Sequence, residues 1–141
     1  VLRIRADQQE RAMDSRQRRT TAMVEQMARI PWQEYPGHFG GALSKALVDP
    51  ANVGTARIDF RISRYAPAAH VEEHAHEVQE QIYYVLEGEG VLTVDGERHL
   101  MRPHDYAYVP PGVRHGIGNT GTQGLVFLVV TTPAQDREEP R

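Results

Sequence analysis

From residue 55 to residue 132 the chain is cut into short alternating runs, with a turn signal every eight to twelve residues and no helical pattern between them. That punctuation constrains the fold more than anything else in the sequence. "TARIDFRIS" (55–63) puts Ile58, Phe60 and Ile62 on one face and Arg57, Asp59 and Arg61 on the other, which reads as a solvated outer face, with an Arg57–Arg61 clamp for a substrate carboxylate as the alternative. "QIYYVLE" (81–87) turns through a hairpin at "EGEG" into "VLTV" (91–94), and "DGE" (95–97) marks an Asp-Gly hairpin into "RHLM" (98–101). "YAYV" (106–109) precedes "PPG", and "LVFLVVTT" (125–132) closes the series. Strands that succeed one another without helices predict an all-β fold, an antiparallel sandwich or barrel.

Upstream the character changes. Residues 7–29 lack Gly and Pro, are rich in Ala, Met, Gln, Glu and Arg, and predict a helix on which Met23, Met27 and Ile30 form one apolar stripe. The chain therefore divides into a helical arginine-rich extension (1–30), a β domain (31–133) and a charged tail (134–141) expected to fray. Residues 1–30 hold seven arginines against Asp7, Glu10, Asp14 and Glu25, a local charge of +3 in a chain of net charge -3. No aromatic residues interleave with those arginines, so a solvated surface is expected there and no nucleic-acid partner.

At 141 residues with no cysteine, the chain reads as one domain without disulfides, zinc-thiolate sites or a thiol nucleophile. No apolar run approaches a membrane span and no signal-type segment is legible, so no membrane partner and a cytoplasmic location are expected. The run 82–86 and the last strand are apolar on both faces. Such strands need cover, which predicts a homodimer interface or packing by the N-terminal helix.

"HAHEVQEQ" (74–81) places His74 and His76 two residues apart, on one face if the backbone is extended. Paired imidazoles suit zinc, iron, nickel, copper or manganese and do not suit calcium or magnesium. A third imidazole has to come from elsewhere, and "PPGVRHGIGN" offers His115 after a proline-glycine turn.

These two stretches carry a resemblance. "HVEEHAHEVQEQIYYVLEGEG" resembles the first signature of the cupin superfamily, with His74, His76 and Gly88 on pattern, and "HDYAYVPPGVRHGIGN" resembles the second, with Pro110, Gly112, His115 and Asn119 on pattern. Ala68 and His104 replace the first glycine of each signature, at turns where positive φ is favoured. Counting back from Gly88 puts Gln81 rather than Glu80 in the slot of the family's carboxylate ligand. Only one of the two can face the histidines, and the "EGEG" register favours Gln81.

The resemblance implies a jelly-roll β-barrel of the cupin type. It also implies one divalent transition ion (Zn, Mn, Fe or Ni) on His74, His76, Gln81 and His115. Four neutral ligands leave the ion's double charge uncancelled, which favours a Lewis acid acting on a small, anionic or enolate-forming substrate. Several lyase-type cupins carry a tyrosine where Tyr83 stands, as a proton-abstracting base; the alternative for Tyr83 is an aromatic cavity wall. The expected function is isomerisation, cyclisation or elimination on a small oxygenated metabolite. Iron-dependent dioxygenation and non-catalytic small-molecule binding are the alternatives, with a DNA-binding regulator a weaker fourth. A metal-free cavity lined by histidines is the plain structural reading. Tyr106 and Tyr108 read as packing, and His38, His70, His99 and His104 as surface residues, His70 being the one that could line a cavity mouth.

Overall fold

The computed structural model describes residues 22–136. It contains eleven strands: β1 (Gln33–Glu34), β2 (His38–Phe39), β3 (Ala42–Val48), β4 (Asp59–Tyr65), β5 (His70–Val71), β6 (Glu80–Glu87), β7 (Gly90–Val94), β8 (Glu97–Met101), β9 (Tyr106–Val109), β10 (His115–Gly118) and β11 (Leu125–Thr132). They form a six-stranded sheet in the order β1-β3-β4-β11-β6-β9 and a five-stranded sheet in the order β2-β5-β10-β7-β8. All ladders are antiparallel. The barrel expected from the sequence is thus a jelly roll of two open sheets face to face. Tyr65, Tyr83, Val85, Leu92, Ile117, Leu125 and Phe127 fill the space between them, with the Tyr65 and Phe127 rings edge to face at 5.0 Å.

Helix is nearly absent from the described residues. A single turn, α1 (Pro50–Val53), is closed by a reciprocal Asp49–Asn52 capping box and by Gly54 in the left-handed region. No described helix is long and apolar enough to cross a membrane. The helix expected over 7–29 falls mostly outside the described residues. Where it can be judged it is absent: 22–26 are irregular, and Met27–Arg29 make one 3-10 turn. Helix propensity is a weak prior that needs a packed stripe to express itself. Here Met23, Val24 and Met27 stay exposed, and Lys45 Nζ donates to the Met27 carbonyl at 3.0 Å.

Two turn expectations meet different outcomes. Asp95 (φ 47°) and Gly96 (φ 79°) form the two-residue hairpin between β7 and β8, as their sequence predicts. "EGEG" is not a hairpin. β6 pairs with β11 and β9, while β7 pairs with β10 and β8, so the glycines carry the chain from one sheet to the other. The corner is tight: a Cβ on Gly88 (φ 77°) would strike the Gly124 carbonyl. Periodicity cannot distinguish a hairpin from such a corner, because both need a sharp turn at the same place.

The faces of β4 are inverted relative to expectation. Asp59, Ser63 and Tyr65 are buried and Arg61 partly so, on the face that looks between the sheets, whereas Ile58 is 45% exposed. Parity comes from the ladder to β11, which sets Ser63 opposite Phe127 and Tyr65 opposite Leu125. Tyr106 and Tyr108, read as packing, lie on the outer face of edge strand β9 and are 73% and 57% exposed.

Ala68 and His104 both sit in the left-handed region, with φ of 70° and 72°. A Cβ is disfavoured there, so Ala68→Gly is expected to raise unfolding stability by about 0.5–1 kcal/mol. The urea midpoint measures this, and an unchanged or lowered midpoint would count against a strained turn.

Candidate metal centre

Two backbone bonds bring the distant signature segments together. His74 and His115 form an isolated antiparallel bridge, with His74 N–H donating to the His115 carbonyl at 2.9 Å and the reverse bond at 2.8 Å. Residues so paired project to one face, and the two rings lie 4.5 Å apart. His76 is held by its carbonyl, which accepts from Gly112 N–H at 2.7 Å; Gly112 has φ of 80° in the proline-glycine turn. One nitrogen from each of His74, His76 and His115 lies within 4.8 Å of the others.

The orientation of each ring is set from behind. His74 Nδ1 is 2.7 Å from the Glu72 carbonyl and His115 Nδ1 is 2.9 Å from the Val113 carbonyl. A carbonyl only accepts, so both Nδ1 atoms carry the proton and both Nε2 atoms keep a lone pair. His76 Nδ1 faces Asp136 Oδ2 at 3.8 Å, and its Nε2 is buried with no hydrogen-bond partner. Burial, and then His74, lower the pKa of His76 against the opposing pull of Asp136 and Gln81; burial likewise dominates in His115, where it outweighs the Val113 carbonyl. Both shifts favour the neutral ring, which is the ligating form.

Gln81 enters from the opposite sheet. It pairs with Thr131 on one side and Val109 on the other, and this register turns its side chain inward. Gln81 Nε2 donates to Thr131 Oγ1 at 3.0 Å, which aims Oε1 at the histidines. Oε1 lies 2.7 Å from His115 Nε2 and accepts from the Tyr83 hydroxyl at 3.1 Å. Glu80 points away, where Tyr108 donates to its carboxylate at 3.0 Å on the outer face. With Nδ1 protonated, His115 Nε2 and Gln81 Oε1 are two acceptors in close approach. Such a pair calls for a cation or a proton between them. The donor set of imidazole nitrogens and one amide oxygen, together with the orphaned His76 Nε2, fits a transition ion.

Tyr83 is fully enclosed, and burial, followed by Tyr65, pushes its phenol pKa up. The neutral phenol is therefore favoured, and it donates a hydrogen bond to Gln81 Oε1.

Asp136 has no counterpart in the sequence reading. The tail expected to fray instead folds back as far as residue 136, and Asp136 accepts from the backbone N–H of Glu77, Val78 and Gln79 at 3.0, 2.9 and 3.2 Å. Its slight burial raises the carboxyl pKa, but those three bonds and His76 outweigh this and hold it below the usual range. It anchors the loop that follows His76. Nothing in local periodicity signals such a long-range cap. Of the remaining histidines, His38 rather than His70 borders the central cavity, while His70 packs on Phe39 outside it. Arg57 is exposed and away from the cavity.

The cavity itself is about 230 Å³, with His74, His76, Gln81 and Tyr83 on one side and Asp59 and Arg61 on the other.

Comparison with known proteins agrees with this architecture. The Cupin domain family model matches residues 61–131. The chain is 32% identical over 114 residues to an oxalate-binding protein of Thermotoga maritima, covering 78% of this chain and 93% of that one. It is 30% identical over 104 residues to the tetracenomycin polyketide synthase protein TcmJ of Streptomyces glaucescens, covering 74% and 70%. Across three curated relatives the matched span is 53%, 70% and 93% of their own length. A solved structure of a predicted oxalate decarboxylase from Thermotoga maritima superposes with a TM-score of 0.72 at 28% identity, over 79% of this chain and 99% of that one. The two signatures, the jelly roll and the family match coincide: this chain belongs to the cupin superfamily.

Proposed function

We propose that the chain is a divalent-metal-dependent enzyme acting on a small oxygenated metabolite by isomerisation, cyclisation or elimination, with His74, His76, Gln81 and His115 as ligands. The observation that carries this reading is the 2.7 Å approach of His115 Nε2 to Gln81 Oε1, two acceptors beside the unpartnered His76 Nε2. A single cation satisfies all three atoms. When bound, a Zn, Mn, Fe or Ni ion supplies polarisation of a substrate oxygen. The carbonyls of Glu72 and Val113 fix ring orientation, and Thr131 fixes the amide. Phe127 and Val129 add apolar surface to the cavity wall. Tyr83, hydrogen-bonded to Gln81 and bordering the cavity, is the proton-transfer group. Because none of the four ligands is charged, an anionic substrate is favoured.

A second reading, binding without turnover, is favoured by the similarity to an oxalate-binding protein. Product formation from a bound metabolite, with and without oxygen, separates the two. Turnover that needs oxygen would replace the Lewis-acid reading by dioxygenation.

The ligand set is checked by metal analysis of freshly purified protein. The wild type is expected to hold about one transition ion per chain. Gln81→Ala lowers that content and Glu80→Ala leaves it; the opposite result reassigns the ligand. Tyr83→Phe is expected to keep the ion and lose most turnover, and undiminished turnover would remove Tyr83 from proton transfer.

The same proposal includes a homodimer in the cytoplasm. Residues 22–32 cover only one side of the six-stranded sheet, where the Trp32 ring lies between Lys45 (4.8 Å) and Arg64 (4.5 Å). Beyond it, Ile82 (46% exposed), Tyr106 and Tyr108 form an apolar outer face with the half-buried Leu128 and Val130. A second copy of that face is the expected cover. Light scattering should give twice the chain mass, and Ile82→Glu should halve it; a monomeric wild type would refute the dimer.

A further inference from the structure

On the cavity wall away from the histidines lies a charged pair that the reading above does not use. Arg61 Nε donates to Asp59 Oδ1 at 2.8 Å and Nη2 to Asp59 Oδ2 at 3.0 Å, a forked pairing that fixes the guanidinium plane. Tyr35, in the loop between β1 and β2, stacks on it with the ring centroid 4.2 Å from Cζ. Side-chain exposure is 11% for Asp59 and 29% for Arg61, so the acid is buried and the base looks into the cavity. Nη1, and the second N–H of Nη2, have no protein partner among the described residues.

A pair of this kind does not pay for itself in stability. Desolvating two charges offsets their attraction, and apolar residues of similar volume often serve a sheet interior as well or better. In β4 Asp59 and Arg61 point between the sheets, while Phe60 and Ile62 lie on the other face, Phe60 half-buried and Ile62 buried. The ladders place Arg61 opposite Val129 and Val129 opposite Tyr83, so Arg61 and Tyr83 lie in one row across β4, β11 and β6. Two strand spacings separate their backbones by about 10 Å, and both side chains point between the sheets.

We propose that Arg61 is an anion anchor: its free Nη1 and Nη2 N–H groups grip the carboxylate of a small organic acid whose other end reaches the His74–His76–Gln81 side of the cavity. Asp59 and Tyr35 are positioning residues that hold the guanidinium for this contact. The cavity, about 230 Å³, lies below the usual 300–1,000 Å³ of drug-sized sites and suits an acid of a few carbons. The inference rests on the cavity being the substrate site, as in the proposed function, but not on the metal.

The test uses full-length protein, metal-loaded and chelator-stripped, titrated calorimetrically with glycolate, pyruvate, malonate and succinate and with the corresponding amides. At least one acid is expected to bind in both forms, and its amide not to. Arg61→Gln should weaken that binding by roughly tenfold to a hundredfold, the loss expected for charged hydrogen bonds, while Arg57→Gln changes nothing. Arg61→Lys, which keeps the charge without the fork, should fall between. A measurement on the wild type guards against a misfolded variant: the Arg61 side-chain Nε–H resonance should shift on adding the acid. Binding of no acid, equal binding of acid and amide, equal binding by Arg61→Gln, or an unmoved resonance each overturns the anchor. Acid binding that survives in a protein unable to hold any transition ion would instead uphold the anchor and sink the metal reading.

Discussion

The whole centre hangs on the backbone bridge between His74 and His115. Two amide hydrogen bonds, 2.9 and 2.8 Å long, join segments that are remote in sequence and set two imidazoles side by side. Main-chain pairing does this without help from the side chains, so the two imidazoles are held together by the backbone itself. His76 follows two residues later, held by Gly112, and Gln81 closes the group from the other sheet. A centre spanning both sheets of a jelly roll is as rigid as the packing between them, and Tyr65, Phe127 and Leu125 supply that packing.

Near the cavity the six-stranded sheet turns several polar side chains inward beside its apolar core. The inner face of the six-stranded sheet carries Asp59, Arg61, Ser63, Gln81 and Thr131, while its outer face carries Phe60, Ile82, Leu128 and Val130. Burying polar groups costs free energy unless each finds a partner. Most do: Ser63 with Ser44 at 2.7 Å, Gln81 with Thr131, Arg61 with Asp59. The buried exception among the described residues is His76 Nε2, and it borders the same cavity as the part-exposed guanidinium edge of Arg61. Unsatisfied groups concentrated in that way mark where a ligand would complete the bonding.

The strands were legible because alternation and turn residues are local. The Asp95-Gly96 hairpin needs positive φ at both positions, and its sequence says so. The inward turn of Gln81 agrees with the count back from Gly88, though for a different reason from the one first inferred. No hairpin exists at "EGEG"; the ladders to β11 and β9 set the parity of β6. The inversion of β4 was not legible, since an alternating strand shows two faces without saying which is inside when both sheet faces are covered. Nor were the irregular course of 22–26 and the 3-10 turn that follows, where Met23, Val24 and Met27 stay exposed and no packed stripe supports a helix.

By itself the sequence determined an antiparallel all-β fold, the two cupin signatures and the three histidines, because these rest on spacing along the backbone; the jelly roll was what the resemblance implied. Only the tertiary structure decided that Gln81 and not Glu80 looks inward, that Asp136 returns from the tail to hold the loop after His76, and that Arg61 faces the cavity. Each of those depends on which strands lie beside one another and on which side of the sheet is interior. Long-range pairing settles both, and a single chain read residue by residue does not contain it.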